Sequence, residues 1–397
     1  MKVLLVHNRY RSANPSGENA VVEDEAKLLA DAGCRVERLE IASDEIATWP
    51  ARRKATLPLR VAWSRAGYAL TESAIHRVRP AVVHFHNTFP LLSPSALWAA
   101  HRSGVPVVQT LHNFRPLCPA GIFVRDGRTC EECLGHLPFP SVVHGCYRGS
   151  RLATLPVAAM DALHGALRTW QRCVDVFVLP SQFARKKYVE AGWPAAKLVV
   201  KYNTTRDRAV QRLDGRAGFT CISRLTAEKG VDVLLDAWPR AFPLGDQSLR
   251  IAGSGDEEAA LRTAGRRAAG VDFRGRLGRA ETSAVLASSL ALVVPSRSYE
   301  VFPRVVVEAY AAGVPVIAAR LGALAEIVED KTTGLLFEPA SAEDLARALK
   351  QVSASPRLAA TLGRNARRAY ETRFSPEETT RRLLAIYGAA ARHSEAA

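Results

Sequence analysis

Short apolar runs alternate with longer amphipathic stretches along the first half of the chain. Residues 2–7 predict a buried strand, residues 20–33 a helix that ends at a glycine, and residues 34–41 a second strand. Together these three elements predict a βαβ unit. Further strands are predicted at residues 81–85, 105–110, 174–178 and 198–201. The first half is therefore expected to form an open parallel sheet.

The same alternation restarts in the second half. Strands are predicted at residues 219–223, 248–252, 271–274, 291–295 and 315–319, with helices such as 231–238 and 341–352 between them. Polar residues 203–218 lack periodicity and predict a linker. The last helix, residues 376–391, is expected to pack back on the first domain through Leu383, Leu384, Ile386 and Tyr387.

These patterns predict an α/β protein with two Rossmann-like, doubly wound parallel-sheet domains that face a central cleft. The predicted bounds are 1–205 for the N-terminal domain, 206–375 for the C-terminal domain and 376–397 for the final helix. A length of 397 residues suits two domains of this size. Hydrophobic residues make up 48% and charged residues 23%, as is typical of a globular protein. Because no apolar run approaches the length of a membrane span, the expected location is the cytoplasm.

The net charge of +15 is unevenly distributed. Residues 1–205 hold 26 basic and 16 acidic residues, so most of the excess lies in the first half. A basic surface suits a phosphate-bearing substrate, an anionic membrane or a nucleic acid, although an arginine-rich composition alone also explains it. Residues 49–70 mix Arg52, Arg53, Lys54, Arg60 and Arg65 with Trp49, Leu57, Leu59, Trp63 and Tyr68. This segment predicts peripheral contact with an anionic membrane or a lipid diphosphate, or else an ordinary surface helix.

Three motifs of the second half follow predicted strands, where open α/β sheets bind ligands. In the first, Arg224 and Lys229 lie on one loop and can bracket a diphosphate, or they are solvated charges of a turn. In the second, Gly253 and Gly255 allow close approach of a ligand, or only a tight turn. In the third, Glu300 lies in a loop and Glu308 in the following helix, which brings two carboxylates toward one site.

The run from Pro295 to Pro339 contains the segments EVFPRVVVEAYAAGVPVIAA and TGLLFEP. This run, together with the earlier segments SRLTAEKG and AGSGDEE in the family's order, resembles the C-terminal signature of glycosyltransferase family 4. The resemblance covers essentially the whole second domain. The resemblance implies the GT-B fold and a nucleotide-diphosphate sugar as donor. It further implies that Arg224 and Lys229 hold the diphosphate and Glu308 the ribose. The transferred sugar is then held by Glu300 and the backbone of Val301, Phe302, Pro303 and Arg304.

The resemblance also implies chemistry. The acceptor attacks on the face that the diphosphate leaves, so the anomeric configuration is retained, and no cofactor or catalytic metal is needed. The sequence departs from the family where Val301, Phe302 and Pro303 replace Gly-Phe-Gly, and where Gly322 alone remains of two glycines. The identity of the donor is therefore left open. The expected acceptor is a glycan or a polyprenyl-diphosphate-linked sugar, in the synthesis of a cell-surface polysaccharide.

The first half supplies further candidates. Gly17 lies where the family has a glycine-rich loop that approaches the donor phosphates, although a simple capping turn is the alternative. His84, His86 and Asn87 end one predicted strand and are expected to bind the acceptor. His112 ends the next strand, matches a family histidine near the donor sugar, and is expected to position or stabilise the reacting groups.

Four of the seven cysteines lie within residues 111–151, which show no clear periodicity. Cys130 and Cys133 have the spacing of a tetrahedral zinc site that Cys118 and Cys146 can complete. Some members of family 4 share this pattern. A structural zinc is therefore predicted, with free thiols or a redox pair as alternatives.

Besides a non-catalytic sugar-binding homologue, which the intact Arg224, Lys229, Glu300 and Glu308 argue against, two other functions remain open from the sequence. A nucleotide-sugar epimerase of the same architecture is one alternative, although the spacing of the family 4 motifs argues against it. A nucleic-acid-binding protein is suggested by the charge alone, and no recognised nucleic-acid motif supports it.

Overall fold

A computed structural model describes residues 1–12, 17–206 and 215–395. The chain divides into two compact units. Unit 1 comprises Met1–Phe123, Glu131–Asn203 and Thr379–Ala397, and unit 2 comprises Val124–Cys130 and Thr204–Glu378. Half of the predicted linker, residues 207–214, lies outside the described residues, as does the polar segment 13–16 that precedes Gly17.

Unit 1 is built from alternating strands and helices, as the apolar pattern predicts. Its parallel strands are β1 (Lys2–Arg9), β2 (Arg35–Ala42), β3 (Val82–Phe85), β4 (Val107–Thr110), β7 (Val176–Leu179) and β8 (Leu198–Val200). The two strands between β4 and β7, β5 (Val124–Arg125) and β6 (Arg128–Thr129), form a separate short hairpin that groups with unit 2. Its helices are α1 (Gly17–Asp31), α2 (Glu45–Thr48), α3 (Ala51–Ala55), α4 (Leu57–Ala62), α5 (Arg65–Val78), α6 (Ser95–Arg102), α7 (Phe139–His144), α8 (Arg151–Ala166), α9 (Thr169–Cys173) and α10 (Gln182–Glu190).

The sheet of unit 1 has the strand order β2-β1-β3-β4-β7-β8, with every pairing parallel. Strand order reverses between β1 and β3, so the carboxyl ends of these strands border a topological switch point. Val3 and Leu5 of β1 pack in one core cluster with Leu383, Ile386 and Tyr387 of the last helix. The predicted apolar face of that helix is therefore buried within unit 1.

Unit 2 repeats this construction. Its strands are β9 (Phe219–Ile222), β10 (Leu249–Ala252), β11 (Val271–Gly275), β12 (Ala291–Val294), β13 (Val316–Ala319) and β14 (Gly334–Phe337). Its helices are α11 (Val231–Ala241), α12 (Glu258–Gly265), α13 (Arg279–Ala287), α14 (Arg304–Ala311), α15 (Gly322–Ile327), α16 (Ala342–Ala354) and α17 (Pro356–Ala369). A π-helical turn (Tyr370–Phe374) then leads into α18 (Pro376–Glu395), which enters unit 1.

The sheet of unit 2 has the order β11-β10-β9-β12-β13-β14, again with parallel pairings. Phe219 of β9, Trp238 of α11 and Ile317 of β13 are buried in its main core. The strand order reverses between β9 and β12. Because ligands of doubly wound sheets bind outside the carboxyl ends of the strands at this reversal, the loops after β9 and β12 are the place to look for a site.

Candidate functional site

The loops that follow β9 and β12 are joined to each other. The amide nitrogen of Arg297 donates a hydrogen bond of 2.9 Å to the carbonyl oxygen of Glu228. Gly230 has φ of +65°, and a Cβ at this position would collide with the carbonyl oxygen of Pro295. A side chain is excluded for both reasons, and the glycine lets the two loops run together.

Lys229 and Glu300 form the centre of this joined surface. The Nζ atom of Lys229 lies 2.6 Å from Oε1 of Glu300, and Ser296 donates a second hydrogen bond of 2.8 Å to the same oxygen. Burial opposes ionisation of Glu300, but the charge of Lys229 and these two hydrogen bonds hold its pKa below the usual value. The carboxylate is therefore ionised at neutral pH, and it fixes the ammonium group at the end of β9 and β12.

Arg224 lies on the same loop as Lys229, and its side chain is 61% exposed. Its guanidinium is held by Glu228 at 3.2 Å, within the same loop. An exposed ion pair of this kind is weak, so the guanidinium can turn toward an anion at little cost. The loop thus carries one mostly buried and one exposed cation, and their contact with a donor diphosphate stays a prediction from the sequence.

Helix α14 begins between the two candidate carboxylates, which confirms the predicted helix start. It begins at Arg304, directly after Pro303, and carries Glu308 one turn later. Nε of Arg304 lies 3.3 Å from Oε1 of Glu308, and both side chains are mostly buried. Val301 and Phe302 complete the loop between Glu300 and this helix, so the whole predicted segment lies within one loop and one helical turn.

The glycines after β10 have a close-packing role. Gly253 has φ of +143°, and a Cβ there would collide with the carbonyl oxygen of Ser223. A Cβ at Gly255 would collide with the backbone of Leu225. Both glycines therefore bring the loop after β10 against the loop that carries Arg224. The contact of Gly253 and Gly255 with the donor stays a prediction from the sequence.

In unit 1, His86 and His112 lie side by side at the ends of β3 and β4. Nδ1 of His86 is 2.9 Å from Nε2 of His112, and the rings stack with centroids 5.2 Å apart. Both rings line a pocket, together with Asn87, Asn113 and Arg115 among others. Burial and the neighbouring His86 hold the pKa of His112 well below its usual value, so His112 is neutral.

His84 is placed differently from the prediction. Its side chain is fully buried, with Nδ1 at 2.7 Å from the Tyr387 hydroxyl and Nε2 at 2.8 Å from the Thr110 hydroxyl. Successive residues of a strand point to opposite faces of the sheet. His84 and His86 are two positions apart, so their side chains lie on the same face. His84 lies deeper along that face, so it does not offer a ring nitrogen to an acceptor in this structure.

Gly17 is the first residue of α1, and a Cβ there would meet open space. The neighbouring residue Glu18 is not predicted as a site residue from the sequence. Burial raises its pKa to about 7, against the opposing effects of Tyr10, Arg115 and Asn113. A glutamate beside a helix N-terminus is ordinarily a capping residue, and the sequence alone carries no signal of its burial.

The four cysteines do not form a converging set in the structure. Among the described residues, Glu25, His84 and His86 are the three possible metal ligands whose ligand atoms lie within 4.8 Å of one another, and no cysteine belongs to this group. Cys118 is buried, whereas Cys130, Cys133 and Cys146 are partly exposed. The geometry therefore gives no support to a four-sulfur zinc site, which stays a prediction from the sequence.

Elemental analysis tests that prediction. Protein purified without added metal is expected to contain about one zinc per chain if the site forms, and the metal is expected to be lost from the Cys130→Ser/Cys133→Ser variant. Cys34→Ser, which changes a cysteine outside the segment, is the control and should keep the metal. Zinc-free protein that is folded would eliminate the site.

Two family models together match residues 4–369 of the chain. Residues 4–204 match the "Glycosyl transferase 4-like domain", and residues 203–369 match "Glycosyl transferases group 1". A phosphatidyl-myo-inositol mannosyltransferase of Mycobacterium leprae is 31% identical over 50% of this chain and 54% of its own length. A glycogen synthase of Mycobacterium tuberculosis is 32% identical over 85% of this chain and 76% of its own length. The chain thus spans about half the length of the mannosyltransferase that it matches.

Solved structures share the fold. HepE of Anabaena, determined in complex with UDP, has a TM-score of 0.67 and 19% identity, with 98% of this chain and 100% of that chain covered. Sucrose-phosphate synthase of Thermosynechococcus elongatus has a TM-score of 0.68 and 18% identity, with 97% and 98% covered. The family models, the glycogen synthase and the two parallel-sheet units agree, and the chain belongs to the family 4 glycosyltransferases of GT-B fold.

Proposed function

We propose that this chain transfers a sugar from a nucleotide-diphosphate donor to a glycan or lipid-linked acceptor, with retention of configuration, in the synthesis of a surface polysaccharide. The observation that carries the proposal is the pairing of Lys229 with Glu300 at the switch point of unit 2. A lysine held in place by a carboxylate can bind a diphosphate, and the second oxygen of that carboxylate can accept hydrogen bonds from sugar hydroxyls. HepE, of the same fold, was solved with UDP and with UDP-glucose.

Each donor group has a candidate partner. Arg224 and Lys229 stabilise the diphosphate as it leaves, a role that needs no metal ion. Glu308 accepts hydrogen bonds from the ribose. Glu300 and the backbone of residues 301–304 hold the transferred sugar. The family resemblance, rather than the packing of the loops, is the support for Gly253 and Gly255 at this donor and for Gly17 at its phosphates.

His112 is proposed to contact the transferred sugar, and Asn87 and the ring face of His86 are proposed to line the acceptor side of the same pocket. The support is that all three line one pocket at the ends of β3 and β4, where the pKa of His112 keeps its ring neutral. A neutral imidazole is suited to hydrogen bonding with hydroxyl groups rather than to holding an anion. The acceptor hydroxyl then attacks on the face that the diphosphate leaves.

A panel of nucleotide sugars tests the proposal. One donor is expected to raise the melting temperature and, with acceptor lipid or glycan, to release its nucleoside diphosphate and give a product of retained configuration. Conversion of the donor to an epimer without an acceptor would favour the epimerase instead. A salt-sensitive mobility shift on DNA or RNA, without stabilisation by any nucleotide sugar, would favour the nucleic-acid-binding alternative.

We further propose that unit 1 contacts an anionic membrane surface. No helix among the described residues is long and apolar enough to span a bilayer. Helix α8, however, leaves an apolar stripe exposed at helical spacing, formed by Leu152, Leu155, Ala159 and Leu163. Its one carboxylate, Asp161, is buried.

Helix α4 packs against α8 through Val61, which contacts Val157 and Met160. Its own exposed side chains include Leu59. The basic residues Arg52, Arg53 and Lys54 precede it and are exposed. Trp49 of the same segment is instead buried beneath Arg53, whose guanidinium lies 4.0 Å from the ring centre. Exposed apolar and basic side chains on packed helices suit a peripheral contact with anionic lipid.

Vesicle flotation measures this contact. The protein is expected to float with vesicles that contain anionic lipid, less so as salt rises, because the attraction is screened. The Leu152→Asp/Leu155→Asp variant should lose flotation at every salt concentration, and Arg52→Glu/Arg53→Glu/Lys54→Glu should lose it most at low salt. Leu244→Asp, an exposed leucine of unit 2, is the control. If wild-type protein stays with the soluble fraction at low salt, the membrane contact is wrong.

A further inference from the structure

A buried chain of polar contacts runs through unit 1 to His112. It begins at Lys201, whose Nζ lies 2.8 Å from Oε2 of Glu25. The other oxygen, Oε1, lies 3.3 Å from Nε2 of His86, and Nδ1 of His86 lies 2.9 Å from Nε2 of His112. Lys201, Glu25 and His86 are each at most 5% exposed. Buried polar groups of this kind are kept only where their partners satisfy them.

The charge of Glu25 follows from its surroundings. Burial opposes ionisation of Glu25, but the charge of Lys201 and the hydrogen bond with His86 hold its pKa well below the usual value. Glu25 is therefore an anion, and Lys201 compensates its charge. Oε1 of Glu25 lies 3.3 Å from both Nε2 of His86 and Nδ1 of His84. Because Nδ1 of His84 lies closer to the Tyr387 hydroxyl, at 2.7 Å, Nε2 of His86 is the ring nitrogen left to donate to this oxygen.

The direction of each hydrogen bond follows from the charge at its start. An ionised Glu25 can only accept a hydrogen bond, so Nε2 of His86 must carry a proton and donate it to Oε1 of Glu25. With its one proton on Nε2, the ring of His86 has a bare Nδ1 at 2.9 Å from Nε2 of His112, and this Nδ1 accepts a hydrogen bond from it. Because His112 is neutral, it carries a single ring proton, which lies in this bond, and its Nδ1 is left bare.

We propose that Glu25 and His86 are positioning residues that hold His112 in the Nε2-protonated tautomer, so that its Nδ1 accepts a hydrogen bond from a hydroxyl of the transferred sugar. The inference rests on the proposed function, in which His112 contacts that sugar. It adds a selection rule, because a bare Nδ1 favours a hydroxyl donor and disfavours a group that can only accept. The carboxylate-to-imidazole bond orients the ring as carboxylates orient histidines in other sites.

A metal ion held by Glu25, His84 and His86 is the competing reading of the same cluster, since their ligand atoms converge. Two observations favour the hydrogen-bonded chain. Both ring nitrogens of His84 already have hydroxyl partners, at 2.7 and 2.8 Å. The ammonium of Lys201 already neutralises Glu25, and a cation placed beside it would be repelled.

The tautomer is measured directly in the wild-type protein. With histidine labelled by ¹⁵N and the His112→Ala variant used for assignment, two-bond correlation spectra at neutral pH are expected to show a protonated Nε2 and a bare Nδ1 for His112. This measurement needs no turnover, so it decides the inference even if no donor is ever found. A His112 protonated on Nδ1, or a shift of these signals on adding zinc, would overturn the hydrogen-bonded chain.

The positioning role is measured with a neutral replacement of the ion pair. Glu25→Gln/Lys201→Met removes both charges together and so avoids leaving one of them buried and unpaired. The turnover number is expected to fall at least tenfold, while the affinity for the bare nucleoside diphosphate stays within twofold of wild type. When His112→Ala is added to this double variant, turnover should fall no further than it does in His112→Ala alone, because Glu25 and Lys201 act on turnover through the His112 ring.

The control is Glu23→Gln, a half-exposed glutamate of the same helix, which should leave turnover within twofold. Multiplicative losses in the combined variant would show that Glu25 and Lys201 act on turnover independently of His112, and would overturn the inference while leaving the proposed function intact. Absence of glycosyl transfer by the wild type would instead overturn the proposed function.

Discussion

Replacing Lys201 by Met is expected to lower the free energy of unfolding of unit 1 by about 3–5 kcal/mol at neutral pH, because Glu25 would be left buried and ionised without its partner. Lys201 and Glu25 are 1% and 5% exposed, and their charged atoms lie 2.8 Å apart. Urea unfolding followed by tryptophan fluorescence measures this loss. Of the six tryptophans only Trp238 lies in unit 2, so the signal reports mainly unit 1.

Lys27→Met provides the control for this loss. Lys27 also pairs with a carboxylate, Asp31, at 3.0 Å, but both side chains are more than half exposed. A surface pair contributes about 0.5 kcal/mol or less, so this variant should resemble wild type. Equal stabilities for the two variants would contradict the buried ion pair.

The cost of Lys201→Met is also expected to depend on pH. The folded-state pKa of Glu25 is depressed, so the stability that it contributes is present above the ordinary carboxyl pKa of about 4.3 and is lost as the pH falls below it. The difference between wild type and Lys201→Met should therefore narrow in acid. A difference that stays constant from pH 7 to pH 3 would contradict the assignment.

Replacing Lys229 by Ala is expected to lower kcat/KM for the nucleotide sugar at least tenfold, about 1.4 kcal/mol or more. The change removes the cation that the site fixes closest to Glu300, at 2.6 Å, and it leaves that carboxylate to repel the donor diphosphate. Initial rates of nucleoside diphosphate release measure the loss. Glu308→Ala should weaken donor binding by a similar factor through the ribose.

The matched control is Lys350→Ala, which removes an exposed lysine of α16 in the same unit. It should leave kcat/KM within twofold of wild type. If Lys229→Ala and Lys350→Ala behave alike, the diphosphate does not bind at the loops after β9 and β12.

Much of the fold could be predicted because its elements are written in local patterns. The predicted strand at residues 2–7 and helix at 20–33 appear as Lys2–Arg9 and Gly17–Asp31. The helix predicted at 341–352 appears as Ala342–Ala354, with the side chain of Ser341 capping it. The start of α14 between Glu300 and Glu308 was also predictable, since strand and helix periods differ.

The parts that could not be predicted depend on contacts between distant residues. Glu25 lies on a helix that reads as an ordinary charged surface, and its partner Lys201 is 176 positions away. No local pattern reveals such a pair, nor the burial of His84 beneath Tyr387, 303 positions away. The burial of Trp49 has a related cause, because it is decided by the packing of Ile46 and Leu91 around the ring.

Hydrogen–deuterium exchange with and without the donor identified in the nucleotide-sugar panel tests most directly whether unit 2 binds the donor at the joined loops. Donor binding is expected to slow exchange at residues 223–230 and 296–308, and this protection should disappear in Lys229→Ala at the same donor concentration. Protection confined to other segments of the chain, or protection of these loops that persists unchanged in Lys229→Ala, would contradict the donor site proposed here.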